Sequence, residues 1–492
     1  MRLFDVLRET PGALLERDAE ITGITYDSRA VRPGYLFVAV VGTELDGRRF
    51  IPDAVARGAA AVVTEPGDGA TAGVVQDVGF ALVPDARRAL SQASNLFYQE
   101  PSKSLAVVGV TGTKGKTTTC HLVKAALDAC GEKTGLVGTL HNIVGKEERP
   151  VLRTTPESAE IHSLMREMVD VGSTAVTMEV SSHALVLQRV EDIRFAAAVL
   201  TNIGHDHLDF HKTLDNYAGA KRHLFELLQE GSVAVLNSDE PFFPFFASAA
   251  SVPVITYGLG EKSNVRAEGL DMDGNGTSFS ADFEGKREKV RLSLPGRFNV
   301  YNALAAAAAA YGLGKDTAAI AAGLSSAARV RGRVEVVSGP GDFTVWVDYA
   351  HTPESLRDVL ALAREVSKGK VIAVFGCGGD RDNEKRPVMG KVAGDIADFV
   401  VLTDDNPRTE DEDRILDQIE VGVKESRSAC AFSRVRDRRE AIHLAVNLAG
   451  DGDVVVLAGK GHETYQRFKD ATVDFDDTLV AAEAMRSRAG GV

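Results

Sequence analysis

Short apolar runs recur along the chain, and each leads through a polar, often glycine-bearing stretch into a helix-compatible segment. Brief runs of this kind, bounded by turn residues, read as strands. Over residues 1–100 they fall at 21–26, 35–41, 60–64 and 80–83, which predicts a small α/β domain. Proline and polar residues at 98–103 mark a boundary. Beyond it, runs at 105–110, 175–180, 196–201, 232–236 and 253–257 alternate with helical patterns. That alternation predicts a mostly parallel sheet covered on both faces. The alanine-rich run 302–311 predicts a closely packed helix, because alanine is the best helix former and also small. A Ser-Gly-Pro-Gly-Asp break at 338–342 precedes runs at 344–347, 371–375, 399–403 and 454–458. These predict a second doubly wound sheet, whose ligands sit beyond the carboxyl ends of its strands. The expected architecture is α/β in three domains, over 1–100, 101–336 and 337–492.

Composition narrows the class. The 492 residues are 44% hydrophobic and 26% charged, an ordinary soluble balance. A net charge of −14 disfavours broad nucleic-acid binding, although local basic pockets for phosphates remain allowed. Four scattered cysteines, at 120, 130, 377 and 430, show no metal-ligand spacing and suit a reducing cytosol. Charges in Met1-Arg-Leu-Phe-Asp-Val-Leu-Arg8 argue against a signal peptide. No apolar run approaches the ~20 residues that cross a bilayer. The expectation is a cytoplasmic protein without nucleic-acid or membrane partners.

The chemistry centres first on Thr111-Gly-Thr-Lys-Gly-Lys-Thr-Thr118, between the 105–110 run and a helical pattern over 119–127. Glycines let successive N–H groups converge on an anion at a helix N-terminus. Lys116 then reaches outer phosphates and the Thr117 hydroxyl ligates Mg²⁺. The usual phosphate-loop spacing asks for Gly at 110, where this chain has Val110, with glycines at 109, 112 and 115. Glu179 ends an apolar run, where an unpaired carboxylate is costly. A nucleotide-bound Mg²⁺ resolves that cost, and an arginine partner is the alternative. Thr201-Asn-Ile-Gly-His-Asp-His-Leu-Asp-Phe-His211 holds three histidines without zinc-site spacing, so one histidine on a second divalent ion is the better expectation. Asn299 and Asn302 open the alanine helix, either as nucleotide contacts or as N-caps. Finally, loops at 347–353, 376–382, 403–408 and 459–463, rich in Gly, Asp, Arg and His, each follow an apolar run and should share one rim.

Taken in order, these motifs resemble those of the Mur ligase family, ATP-dependent amide-forming enzymes of bacterial cell-wall synthesis. The resemblance covers nearly the whole chain. It implies a small N-terminal UDP-binding α/β domain, a central P-loop ATPase domain and a C-terminal Rossmann-like domain. Tyr26-Asp-Ser-Arg29, Pro33-Gly-Tyr-Leu-Phe37 and Asp46-Gly47 are similar to the member that adds a diamino acid to UDP-N-acetylmuramoyl-L-alanyl-D-glutamate. Asp405-Asn-Pro-Arg408 is similar to the signature of members using meso-diaminopimelate, and Arg408 offers a planar fork for the carboxylate that lysine lacks.

Position by position, the resemblance implies that Tyr26, Ser28 and the loop Thr43, Glu44 and Leu45 hold the uridine nucleotide. Thr154, Thr155, Ser181 and Arg189 match muramoyl-dipeptide contacts. Gly112, Thr113, Lys114, Gly115, Lys116, Thr117 and Thr118 match the ATP phosphate loop, with Asn299, Asn302, Arg333 and Asp348 as further nucleotide positions. Lys116, Lys221, Glu179 and His207 match catalytic positions. Thr117, Glu179, His207 and Lys221 match the Mg²⁺ set, the lysine as a CO₂-derived carbamate. Arg381, Asp405, Asn406, Pro407, Arg408, Gly459 and Glu463 match the diaminopimelate pocket. Leu187 stands where relatives often have Gln, Lys114 where Asn is usual, and Arg331 where proline is usual.

The implied reaction activates the D-glutamyl γ-carboxylate as an acyl phosphate, which the diaminopimelate amine captures. The expected partners are these small molecules and ATP, acting on a monomer. The rivals are the L-lysine-adding ligase of the same family, a kinase that stops at the acyl phosphate, and a nucleotide-dependent binding protein without ligase chemistry. The guanine-specific Asn-Lys-x-Asp motif that would favour the last is absent.

Overall fold

A computed structural model describes residues 1–42, 45–67, 75–427 and 430–490. The chain forms two compact units: Met1–Ala267 with Ala281–Glu288 and Tyr301–Leu324, and Glu268–Ser280 with Lys289–Val300 and Ser325–Val492.

The first unit begins with a five-stranded sheet ordered Leu14–Arg17, Gly79–Leu82, Ala61–Thr64, Tyr35–Ala39, Gly23–Thr25. Only its first pairing is antiparallel. Side chains alternate across Tyr35–Ala39, as the pleat requires. Leu36 and Val38 join a core with Leu90 and Ala93 of helix Ala86–Phe97, while Phe37 and Ala39 pack with Ile51 and Ala54.

The same unit carries the central sheet. Its strands run Glu147–Arg149, Asn142–Val144, Thr134–Val137, Ala175–Glu179, Ala106–Thr111, Phe195–Leu200, Val233–Asn237, Val254–Gly258. From Thr134–Val137 onward these pairings are parallel. Val265–Asp273, Gly276–Phe283 and Lys286–Leu292 continue the sheet, and their residues are divided between the units. The alanine-rich helix spans Arg297–Gly312, and every residue from Ala303 to Ala310 is fully buried. Small side chains on all sides permit that.

The second unit holds a six-stranded sheet ordered Glu335–Val337, Thr344–Asp348, Val454–Ala458, Val371–Phe375, Phe399–Leu402, Ala431–Arg434. Every pairing is parallel except the first. Trp346 is fully buried, and its indole N–H donates to the Gly274 carbonyl at 2.9 Å. Among the described residues no helix is long and apolar enough to cross a membrane.

The α/β architecture with its large, mostly parallel sheets matches the expectation. The helix predicted from residue 119 starts at Lys116, directly from the phosphate loop. The edge strand Leu14–Arg17, exposed along its length, and the hairpin Asn142–Val144 with Glu147–Arg149 were not predicted.

Candidate active site

Parallel pairing brings three strand ends to one edge. In register, Glu179 lies opposite Val110, and Leu200 lies opposite Thr111. The Gly112 loop, the Glu179 carboxylate and the 201–204 segment therefore share the carboxyl end of the central sheet. Val110 is a buried strand residue in this register, so the chain curls through Gly112 and Gly115 and needs no glycine at 110. Gly115 caps the helix Lys116–Ala129 with φ +85°, and a Cβ there would lie 2.3 Å from Asn302 Oδ1. A Cβ at Gly112 would lie 1.9 Å from Thr201 Oγ1.

The loop is braced from the neighbouring strand end. Lys114 N donates to Asn202 Oδ1 at 3.0 Å, and its carbonyl accepts from Thr201 Oγ1 at 2.6 Å. Thr113 Oγ1 accepts from Gly204 N at 2.8 Å. Position 114 is held by its backbone while its side chain is exposed, which explains why a lysine is tolerated there. Lys116 Nζ donates to the carbonyls of Gly112 and Thr113 at 2.8 and 3.0 Å. Lys221 Nζ also donates to Gly112 O, at 2.8 Å, from a position 1% exposed. Burial, reinforced by the Lys116 charge, holds the Lys221 amine well below the ordinary lysine range. Tyr217 lies beneath it, 4.5 Å from ring centroid to Nζ.

Glu179, 1% exposed, accepts from Thr117 Oγ1 at 3.0 Å, Thr139 N at 2.8 Å and Thr139 Oγ1 at 3.0 Å. Its hydrogen-bond partners are hydroxyls and an amide, not an arginine. A carboxylate beside a threonine hydroxyl is a hard oxygen donor set, the kind Mg²⁺ prefers. The ring of His207 packs edge-on to His183 at 4.8 Å, and His211 is held by Ser182 Oγ at 3.0 Å, a structural role. Among the described residues no three His, Cys, Asp or Glu side chains converge to hold a metal. The adjacent oxygens of Thr117 and Glu179 are the hard donors that the described residues place together at this strand end. Neither asparagine caps the helix Arg297–Gly312. Asn302 Oδ1 accepts from Thr119 Oγ1 at 3.3 Å, and Asn299 Nδ2 donates to Pro295 O at 2.8 Å.

A second cluster lies in the same unit. Thr155 Oγ1 donates to Glu179 O at 2.8 Å and accepts from Ser181 N at 3.0 Å, and Thr154 Oγ1 meets Thr139 Oγ1 at 3.1 Å. Arg189 donates to Thr155 O at 3.0 Å and pairs with Glu157 at 2.8 Å. Burial lowers the Arg189 pKa, and Glu157 opposes that. Arg153 and Arg87 also approach Glu157, at 3.3 and 3.7 Å. Arg153 reaches the Tyr26 hydroxyl at 3.2 Å, whereas Ser28 is buried in a short turn capped by Asp27. Leu45 is 63% exposed, and Thr43 and Glu44 lie outside the described residues. Leu187 ends a short helix, and Gln188 donates to Asp85 at 2.9 Å. Glu157 and Thr139 were missed from the sequence. Their signals were adjacency to Thr154-Thr155 and to Gly138, whose Cβ position would crowd Glu179 Oε1 at 2.7 Å.

In the second unit the four loops do share a rim, because the strands before them are parallel neighbours. Asn406 Nδ2 donates to Glu463 Oε2 at 2.8 Å, and Gly379 N donates to Asn406 O at 2.9 Å. Arg408, at φ +54°, donates from Nη1 to Gly379 O at 2.6 Å, tying two loops together. A Cβ at Gly459 would lie 2.7 Å from Asp405 Oδ2. Pro407 is buried and Arg381 exposed. Asp348 accepts from Val334 N and Ala350 N, both at 2.8 Å, and burial raises its pKa. Arg333 stacks over Tyr349 at 5.4 Å. Beneath the rim, Arg438 forms a fully buried bidentate pair with Asp477, at 2.7 and 2.6 Å, and donates to Ala458 O at 3.1 Å.

Three family profiles match successive parts of the chain. Residues 20–98 match the Mur ligase family catalytic-domain profile, 110–310 the Mur ligase middle domain, and 332–461 the Mur ligase glutamate ligase domain. A protein of Syntrophomonas wolfei named UDP-N-acetylmuramoyl-L-alanyl-D-glutamate–2,6-diaminopimelate ligase is 44% identical over 477 residues, 96% of each chain. One of the same name from Caldanaerobacter subterraneus is 41% identical over 486 residues, 99% of each chain. A solved structure of a protein with that name superposes with a TM-score of 0.71 at 32% identity, covering 95% of both chains.

Proposed function

This chain belongs to the Mur ligase family, and we propose that it joins meso-diaminopimelate to UDP-N-acetylmuramoyl-L-alanyl-D-glutamate. It is an ATP-dependent, ADP-forming ligase of peptidoglycan precursor synthesis. The observation that carries this reading is the match, over nearly the full length of both chains, to ligases of that name. The L-lysine-adding alternative is disfavoured by Arg408, whose guanidinium suits a second carboxylate.

A carboxylate is a poor acyl donor, so the reaction first moves the γ-phosphoryl group of ATP onto the D-glutamyl γ-carboxylate. The attacking amine then adds to the acyl carbon, and the tetrahedral intermediate expels phosphate. Gly112 to Thr118 wrap the phosphates with backbone N–H groups. Lys116 exchanges its two carbonyl partners for phosphate oxygens and offsets the charge of two crowded anions. Thr155, Ser181 and Arg189 hold the dipeptide so that its γ-carboxylate faces the transferred group. Tyr26 and Ser28 belong to the uridine end. Glu463 takes the ammonium of diaminopimelate, and Arg408 with Arg381 takes the far carboxylate. Residues 1–100 then serve the nucleotide-sugar handle, 101–336 the ATP chemistry and 337–492 the amino acid. A cytoplasmic monomer suits substrates that are all small and soluble.

The oxygen donors Thr117 and Glu179 fit Mg²⁺, which they would hold with His207 and a carbamate on Lys221. The ion would supply neutralisation of phosphate charge. Burial lowers the Lys221 pKa and so favours the uncharged amine, the form that adds CO₂. Carbon-13 bicarbonate should give a carbamate resonance that vanishes in Lys221→Ala, and its absence from native protein removes the carbamate from this account.

The acyl-phosphate route has a direct test. Substrate carrying oxygen-18 in its γ-carboxylate should pass one label to the released phosphate. Unlabelled phosphate rules out activation of that carboxylate.

A further inference from the structure

Lys460 is fully buried, yet it sits among the residues matched to the diaminopimelate pocket. Its ammonium donates to Asn406 Oδ1 and to Glu463 Oε2, both at 3.3 Å, and lies 3.9 Å from Asp405 Oδ1. The side chain of Tyr465 covers it, with Nζ 5.5 Å from the ring centroid. Asn406 is itself fixed twice more: its Oδ1 accepts from Arg467 N at 2.9 Å, and its Nδ2 donates to Glu463 Oε2 at 2.8 Å. The Glu463 carboxylate thus has one oxygen, Oε2, held by both Lys460 and Asn406.

Burying an ammonium is costly, and ordinary packing does not call for one. Here Lys460 joins the loop after Phe399–Leu402 to the loop after Val454–Ala458, and of the two buried cations near Asp405 and Glu463 it is the one hydrogen-bonded to Glu463, since Arg438 is taken up by Asp477. Remove it and those carboxylates repel each other across a partly dry pocket. Glu463, only partly buried, would then swing outward, and the position offered to an incoming ammonium would be lost.

We propose that Lys460 is a positioning residue for amino-acid selection: it locks Glu463 and Asn406 into the orientation that receives the amine end of diaminopimelate. The role rests on the diaminopimelate reading given above. It requires no contact between Lys460 and the substrate. One Glu463 oxygen is engaged by the protein, and the other is left to the ligand.

The test uses the full-length enzyme with steady-state kinetics in each substrate separately. In Lys460→Met, which keeps the apolar stem and removes the charge, KM for diaminopimelate should rise about tenfold or more, the scale expected for a lost charge-assisted hydrogen bond. KM for ATP and for the UDP-muramoyl dipeptide should stay within about twofold. Combining it with Glu463→Gln should add little to the effect of Glu463→Gln alone, since both changes act on one interaction. An unchanged diaminopimelate KM, or fully additive effects in the double variant, overturns the proposal. So does a uniform rise in all three KM values, which a purely structural lysine would produce. If Lys460→Met melts below assay temperature, Lys460→Gln, which retains a shorter donor, carries the same expectation and the same refutation. Native enzyme that never ligates diaminopimelate instead refutes the underlying functional reading, a result read from the unmutated control.

Discussion

Replacing Glu179 by glutamine separates a structural from a chemical role, because the side chain keeps its shape and loses only charge and one acceptor. In the native protein Oε1 accepts from Thr139 N at 2.8 Å, while Oε2 accepts from the hydroxyls of Thr117 and Thr139, both at 3.0 Å. Glutamine can keep its oxygen on Thr139 N. Its amide N–H₂ then faces two hydroxyls, and each can rotate to accept. The Thr139 hydroxyl also has Thr154 Oγ1 within 3.1 Å as an alternative acceptor. Only the Thr117 hydroxyl proton loses its acceptor, so the structural cost should be about 1 kcal/mol. In a chain of this size that lowers the melting temperature by only about 2 °C. The chemical cost is larger. A neutral amide is a poor ligand for a divalent cation, and losing about 3 kcal/mol of charge stabilisation at the phosphates slows turnover about a hundredfold. Phosphate release and thermal melting, measured on the same preparation, give both numbers. Turnover within about threefold of native would refute the assignment of Glu179 to the metal. A melting-temperature drop of about 10 °C would refute the hydrogen-bond reasoning.

Gly115→Ala places a Cβ 2.3 Å from Asn302 Oδ1 at φ +85°, so the strain of about 1–2 kcal/mol and the displaced asparagine should raise KM for ATP while circular dichroism stays native. Native ATP affinity in that variant would show that the loop tolerates another shape. Arg408→Ala should raise KM for meso-diaminopimelate by about tenfold or more and leave the rate with L-lysine, at whatever level the native enzyme shows, unchanged; equal effects on both amino acids would discredit carboxylate recognition. Burial pushes the Asp404 carboxyl up to about 6, with Arg436 opposing the shift. The folded state thus holds that proton more tightly than the unfolded chain, and the stabilising contribution present at low pH is lost as pH rises through about 6. Asp404→Asn should therefore gain in relative melting temperature as pH rises from about 4 to about 7, and a difference independent of pH would contradict the shift.

The parallel cores were legible because strands buried on both faces are written as uninterrupted apolar runs, such as Val371–Phe375 and Val454–Ala458, both buried throughout. Leu14–Arg17 escaped because an edge strand with four exposed residues carries no such signal. The long strands Val265–Asp273 and Lys286–Leu292 escaped for a related reason, since charged residues interrupt their apolar positions. Function-bearing loops were easier, because chemistry concentrates unusual residues just after strands, as at Glu179 and at 405–408. The supporting residues were harder. Thr139, Glu157 and Lys460 act by touching another side chain far along the chain, and only the fold brings Thr139 to Glu179 across 40 positions. Whether Asn299 and Asn302 are N-caps or remain available as nucleotide contacts likewise depended on where the helix begins, and it begins at Arg297.

The central claim is that this chain builds an amide between a nucleotide-linked dipeptide and a diamino acid. Mass spectrometry of the product formed from ATP, Mg²⁺, UDP-N-acetylmuramoyl-L-alanyl-D-glutamate and either meso-diaminopimelate or L-lysine tests it most directly. The account predicts a nucleotide tripeptide carrying diaminopimelate, with ADP and phosphate released in equal amounts and little or no lysine product. Preferential addition of lysine, or ATP consumed with the dipeptide left unextended, would contradict it.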